Sequence, residues 1–123
     1  MIKLKESSNK DEIFLKDFNM KPKDEVYIIT LNDENVGVIM YYKSTDVINI
    51  EYISVLDEYR RKGIATEVIE IINPDGYFAI SGNSLPHDDS VGFWKSLDAD
   101  FEGLDEEIEY YREENACIPF FIH

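Results

Sequence analysis

The sequence predicts an α+β fold: one mixed β-sheet of six to seven strands with two or three flanking helices, in a single domain over residues 1–123. Three observations carry this reading. Between residues 25 and 55, stretches rich in Val, Ile, Tyr and Thr are separated by short polar turns, as in consecutive antiparallel strands. Residues 64–72 then place apolar side chains at helical spacing. A short apolar stretch, 77–81, follows that helix, and strand–helix–strand implies a parallel pair.

Composition sets the bounds. A length of 123 residues suits one core. At 44% hydrophobic residues, with 8 Tyr, 7 Phe and 1 Trp, the chain has the means to fold. Twelve basic against 26 acidic residues give a formal charge of −14. That field argues against nucleic acid and anionic membranes as partners and favours cationic ones, or serves solubility alone. A single cysteine, Cys117, excludes an intrachain disulfide, and one cysteine with two histidines argues against a zinc site. The first ten residues hold no apolar signal region, and no apolar run approaches membrane length, so a cytoplasmic protein is expected.

In chain order, Ile2-Lys3-Leu4-Lys5 alternates like a short edge strand. Ser7-Ser8-Asn9 can cap a helix over 10–18, with Ile13, Phe14 and Phe18 facing inward and Pro22 beyond its end. Strands over 25–31 and 36–42 form a hairpin around Asn32-Asp33-Glu34-Asn35. A further turn, 43–46, leads to a strand over 47–55. In the helix 64–72, Ile64, Val68, Ile71 and Ile72 share one face, and Asn73-Pro74-Asp75-Gly76 ends it. After the strand 77–81 comes a polar loop, 82–89, then a helix started by Asp88 or Asp89 that turns Val91, Trp94 and Leu97 to the core. Segments 108–112 and 117–122 read as a closing hairpin.

The stretch Arg60-Arg61-Lys62-Gly63-Ile64-Ala65-Thr66 stands out in this acidic chain. It carries three consecutive cations and two of the three arginines, between a strand and a helix. A helix start leaves backbone N–H groups unpaired and favours an anion, and Gly63 allows a close approach, so strand, basic glycine turn and helix together suit a phosphate. A plain surface turn would have the same composition.

Arg60, Gly63 and Ala65 read R-x-x-G-x-A. With the preceding Ile53-Ser54-Val55-Leu56-Asp57-Glu58-Tyr59, this resembles the pyrophosphate loop, Q/R-x-x-G-x-G/A, of the GNAT superfamily of acyl-CoA-dependent N-acetyltransferases. The element order from about residue 25 to 122 is similar to that family's fold, with an abbreviated N-terminal helical region over 6–22. The resemblance implies an acetyl-CoA-dependent N-acetyltransferase with no metal. It assigns the donor's pyrophosphate to residues 60–66, that is Arg60, Arg61, Lys62, Gly63, Ile64, Ala65 and Thr66, and the pantetheine arm to the main chain of Ile53 and Val55. The N–H of Ile53 would polarise the thioester carbonyl. A small amine or a protein amino group would be the acceptor, and the charge favours a cationic one. A homodimer is left open.

Transfer to an amine needs a base. Glu51 lies two residues before Ile53, on the same side of the strand. An apolar setting there would raise its pKa and suit it to that role, with Asn49 orienting a water. The family's usual acid is a tyrosine in F-Y-x-x-L-G-F; here Phe93-Trp94-Lys95-Ser96-Leu97 puts Trp94 at that place. His87 stands seven residues earlier, where an asparagine often contacts pantetheine; Asn83 is an alternative contact, and His87 and Tyr111 are substitute acids. Indole is not a usable acid. The departure leaves two other readings open: a non-catalytic acyl-CoA binder, and an acidic protein that blocks a basic partner.

Overall fold

A computed structural model describes residues 1–84, 88–97, 99–101 and 117–123. The described elements are β1 (Ile2–Glu6), α1 (Glu12–Lys16), β2 (Val26–Leu31), β3 (Glu34–Lys43), β4 (Val47–Val55), α2 (Ile64–Ile72), β5 (Ala79–Ser84), α3 (Asp88–Ser96), β6 (Asp100–Phe101) and β7 (Ile118–Ile122). The strands run in the order β1-β2-β3-β4-β5-β7-β6 in one mixed sheet, the class expected from the sequence. Two compact units divide the chain, Met1–Tyr42 with Glu51–Tyr77, and Lys43–Ile50 with Phe78–His123. None of the described helices is long and apolar enough to cross a membrane.

In the first unit, β1, β2 and β3 pair antiparallel in sequence. The Asn32-Asp33 turn takes two residues rather than four, because both adopt left-handed backbone, φ 50° and 70°. Paired positive φ values match the strand twist in a tight hairpin, and β3 therefore starts at Glu34. A register shift lets Ile29 face Gly37 while Thr30 faces Asn35, so Val36 is an extra residue in β3. Its carbonyl accepts the N–H of Leu56 at 2.8 Å, which ties the chain leaving β4 to the bulge. Gly37 is needed next to it: a Cβ there would collide with the Ser54 carbonyl oxygen and come within 3.1 Å of the Val55 Cα.

A 3-10 turn, Asn9–Asp11, precedes α1 and changes its phase. Leu15, absent from the expected inner face, is buried with Val26, Ile28 and Val38, and Phe14 and Phe18 pack against that cluster. Ile13, expected inside, is 83% exposed. The helix ends earlier than Pro22 would dictate. Asn19 turns left-handed, φ 56°, and the Met20 N–H reaches back to the Leu15 carbonyl at 3.1 Å. Helix α2 has the expected bounds and lies against β1. Its buried arc holds Ile64, Val68, Ile69 and Ile72, rotated past Ile71, which is exposed.

In the second unit, Val47–Ile50 of β4 pairs in parallel with β5, from Val47 opposite Ala79 to Ile50 opposite Gly82. β5 begins later than expected because Asp75 and Gly76, both left-handed, extend the turn after α2 and leave Tyr77 exposed. It then continues through Gly82–Ser84, where the sequence predicts a loop. A Cβ on Gly82 would lie 2.6 Å from the Ile50 carbonyl oxygen and 2.8 Å from the Phe120 ring. β7 pairs antiparallel with β5 and also with β6, a two-residue strand the sequence did not signal. The expected strand 108–112 lies outside the described residues. On α3, Val91 and Trp94 are buried as expected, while Leu97 is half-buried just beyond it.

Asp11 closes the entry to α1. Its carboxylate accepts the Ser8 N–H at 2.9 Å and lies 3.2 Å from Lys5 Nζ. Burial works to raise its pKa, but the Ser8 bond and the Lys5 charge outweigh it, and the net direction is downward. A lowered pKa adds stability above the ordinary value of 3.8, and that part is lost as pH falls through the folded value. Asp11→Ala should cost about 1 kcal/mol at pH 7. In urea melts, the gap to wild type should hold down to about pH 5 and shrink below the ordinary carboxylate pKa of about 4.

Candidate functional site

The strand-to-helix passage lies wholly in the first unit. β4 ends at Val55, and a 3-10 turn, Asp57–Tyr59, follows. The chain is extended at Arg60, φ −71° and ψ 158°, and then left-handed at Arg61, φ 62°. Gly63 is left-handed too, φ 77° and ψ 10°, and is the residue from which α2 departs. Glycine takes this conformation without strain; L side chains resist it.

The consequence is a helix start with no side-chain cap. The first backbone bond into the helix runs from the Glu67 N–H to the Gly63 carbonyl, at 3.0 Å. The N–H groups of Ile64, Ala65 and Thr66 precede it and have no partner within the helix. They point along the positive end of the nine-residue α2 dipole. A Cβ built on Gly63 would meet nothing within 4 Å, so the surface over this helix start is open. Arg61 and Lys62 are exposed beside it. Open space, unpaired N–H groups and local cations form a cradle suited to a phosphate.

Arg60 serves the loop itself. Its Nε donates to the Val55 carbonyl at 2.9 Å, and its guanidinium pairs with Asp57 at 2.8 Å. Lys62 Nζ lies 5.6 Å from the centroid of the Tyr59 ring, within cation–π range. Tyr59 in turn donates its hydroxyl to Glu34 at 3.2 Å. The Asp57–Arg60 spacing was open to reading from the sequence; the Glu34 contact, 25 residues away, had no local signal.

Along β4, Ile53 is half-buried and Val55 buried. Glu51 is exposed, which differs from the apolar setting expected for it. Glu51 lies on the side of the strand opposite the buried Ile48 and Ile50. Asn49 belongs to the second unit, where its side-chain oxygen accepts from Ser81 Oγ at 2.6 Å, a partner not foreseen. Trp94 is 3% exposed and stacks on Phe120 at 4.2 Å between centroids. Asn83 is exposed on β5. His87 and Tyr111 lie outside the described residues.

These features meet their match in comparisons with known proteins. Residues 3–72 fit the model of the acetyltransferase (GNAT) family, which covers more than half of the chain, and the chain belongs to that family. Among solved structures, the fold is similar to that of Naa50 from Arabidopsis thaliana, crystallised with the bisubstrate analogue CoA-Ac-MVNAL. The TM-score is 0.66 at 16% identity, covering 99% of this chain and 98% of that one. Ard1 from Thermoplasma volcanium gives a TM-score of 0.68 at 14% identity, over 98% and 95% of the two chains. Diaminobutyrate acetyltransferase EctA from Paenibacillus lautus, solved with L-2,4-diaminobutyric acid and coenzyme A, gives 0.61 at 14%, over 99% and 93%. No curated protein matches the chain in sequence.

The backbone at residue 63 supplies a direct test of the loop's conformation. Gly63→Ala should destabilise the chain by about 1 kcal/mol, the cost of left-handed backbone for an L residue. Gly63→Asn should cost less, since asparagine tolerates that region. Chemical denaturation of the two variants checks the order; equal stability of all three forms would mean that the loop is not left-handed there.

Proposed function

We propose that this protein is an N-acetyltransferase that moves an acetyl group from acetyl-CoA to a primary amine on a cationic small molecule or a protein amino group. The uncapped start of α2 behind Gly63, in a member of this family, is the observation that carries the reading. In it, the pyrophosphate of the donor sits on the N–H groups of Ile64, Ala65 and Thr66, with Arg61 and Lys62 adding charge and Arg60 shaping the turn. The pantetheine arm follows the main chain of Ile53 and Val55. Parallel pairing with β5 takes up only Val47–Ile50, which favours this use of the remainder of β4. EctA is a diaminobutyrate acetyltransferase seen with its amine substrate and coenzyme A, Naa50 is seen with a CoA-linked bisubstrate analogue, and the net charge of −14 favours a cationic acceptor here. A cytoplasmic location belongs to the same reading.

The chemistry divides simply. The neutral amine attacks the thioester carbonyl, with the Ile53 N–H steadying the oxygen that gains charge. Glu51, from its exposed position, takes the amine's proton directly or through water. The C–S bond breaks as the amide forms, and the thiolate of CoA leaves. Trp94 is buried against Phe120 and offers no acidic hydrogen, so the thiolate takes its proton from water. That same observation favours a second reading, a family member that binds acyl-CoA without turnover.

Three variants separate the readings. Gly63→Asn places a side chain in the open space over the helix start and should weaken CoA binding at least tenfold, measured by calorimetry; unchanged affinity would remove the pyrophosphate from this loop. Glu51→Gln should lower turnover about a hundredfold or more with CoA affinity kept, as expected on loss of a general base. Trp94→Tyr tests the acid. If thiolate protonation limits the rate, the added phenol should speed thiol release with an amine panel. No turnover in any form, alongside tight CoA binding, would establish the non-catalytic reading.

A further inference from the structure

The anion cradle depends on a loop whose conformation is costly. Arg61 is a non-glycine residue at φ 62°, a left-handed state that L residues resist. Neighbouring contacts must therefore hold the turn. Several lie within the loop: Tyr59 N–H to the Leu56 carbonyl at 2.9 Å, Arg60 N–H to the Asp57 carbonyl at 3.2 Å, and the Arg60 side chain on Val55 and Asp57. Two come from β3. Val36, the bulged residue, takes the Leu56 N–H, and Glu34, at the first position of the strand, takes the Tyr59 hydroxyl. Tyr59 also lies under the Lys62 ammonium. The tight Asn32-Asp33 turn fixes where Glu34 begins the strand.

We propose that Glu34 and Tyr59 form a clasp that holds the loop in its anion-binding shape, so that a residue on the β2–β3 hairpin, outside the loop, sets how tightly the chain holds the pyrophosphate of its acyl donor. Glu34 is a positioning residue: it acts through Tyr59, and Tyr59 carries Lys62. A flexible loop would have to be ordered on binding, and a pre-shaped one avoids that cost. The bond to Glu34, and then that carboxylate's charge, push the Tyr59 phenol above its ordinary pKa. It therefore stays a protonated donor across the neutral range, with the donor on tyrosine and the acceptor on glutamate. The inference rests on the reading of the loop as the pyrophosphate site.

The test is CoA affinity by calorimetry in the wild type, Glu34→Ala, Glu34→Gln, Tyr59→Phe and the Glu34→Ala/Tyr59→Phe double variant. Each of the Glu34→Ala and Tyr59→Phe changes should weaken binding roughly two- to tenfold, the range of one hydrogen bond. The double variant should bind no worse than the weaker single one, because both changes remove the same contact. Glu34→Gln keeps an acceptor oxygen and should retain most of the affinity. Amide exchange at residues 57–66 of the free protein should quicken in Glu34→Ala, and urea midpoints should show the fold intact. Wild-type affinity in the single variants, losses that add in the double variant, or a loss in Glu34→Gln as large as in Glu34→Ala would each overturn the clasp alone. A wild type that fails to bind CoA would overturn the pyrophosphate reading itself and the clasp with it.

Discussion

The bond from Arg60 Nε to the Val55 carbonyl ties the turn before α2 to the end of β4. It folds one guanidinium of the turn back on the end of β4, and Asp57 pairs with the same group. The chain can then reverse through left-handed Arg61 and Gly63 and deliver the first N–H groups of α2 to an open surface. Without such a pin, a turn carrying three adjacent cations would repel itself and sample many shapes. A charge within the loop that faces a carboxylate and a carbonyl does structural work.

Close backbone packing serves the same end. Gly37 lets β3 meet the Ser54–Val55 segment without a side chain between them, and the bulge at Val36 turns a carbonyl toward Leu56. Gly82 plays the corresponding part in the second unit, where only hydrogen fits between Ile50 and the Phe120 ring. Neither glycine has a left-handed backbone; each is required by the space available. Gly63 is the reverse case, with ample space and a conformation that only glycine takes cheaply.

Trp94 anchors the core of the second unit. The indole is buried, stacked on Phe120 and set edge-on to Phe93. Aromatic stacking of this kind contributes to packing through area and quadrupole alignment. The Trp94 indole supplies no acidic proton.

Local pattern alone determined the mixed-sheet class, the bounds of α2 and the strand–loop–helix passage, because periodicity, turn chemistry and a run of cations are properties of neighbouring residues. It also gave Val91 and Trp94 as core. What it missed depends on rotation and on distance along the chain. The 3-10 turn before α1 exchanged Ile13 for Leu15 on the buried side, and the buried arc of α2 took Ile69 in place of Ile71. Extended turn geometry at Asp75 and Gly76 moved β5 forward, and β6 was too short to show a period. The setting of Glu51 followed from which way the pleat faced. Most of all, the Glu34–Tyr59 bond joins residues that no local pattern relates, since only the pairing of β2 with β3 and the seating of Leu56 on Val36 bring them together.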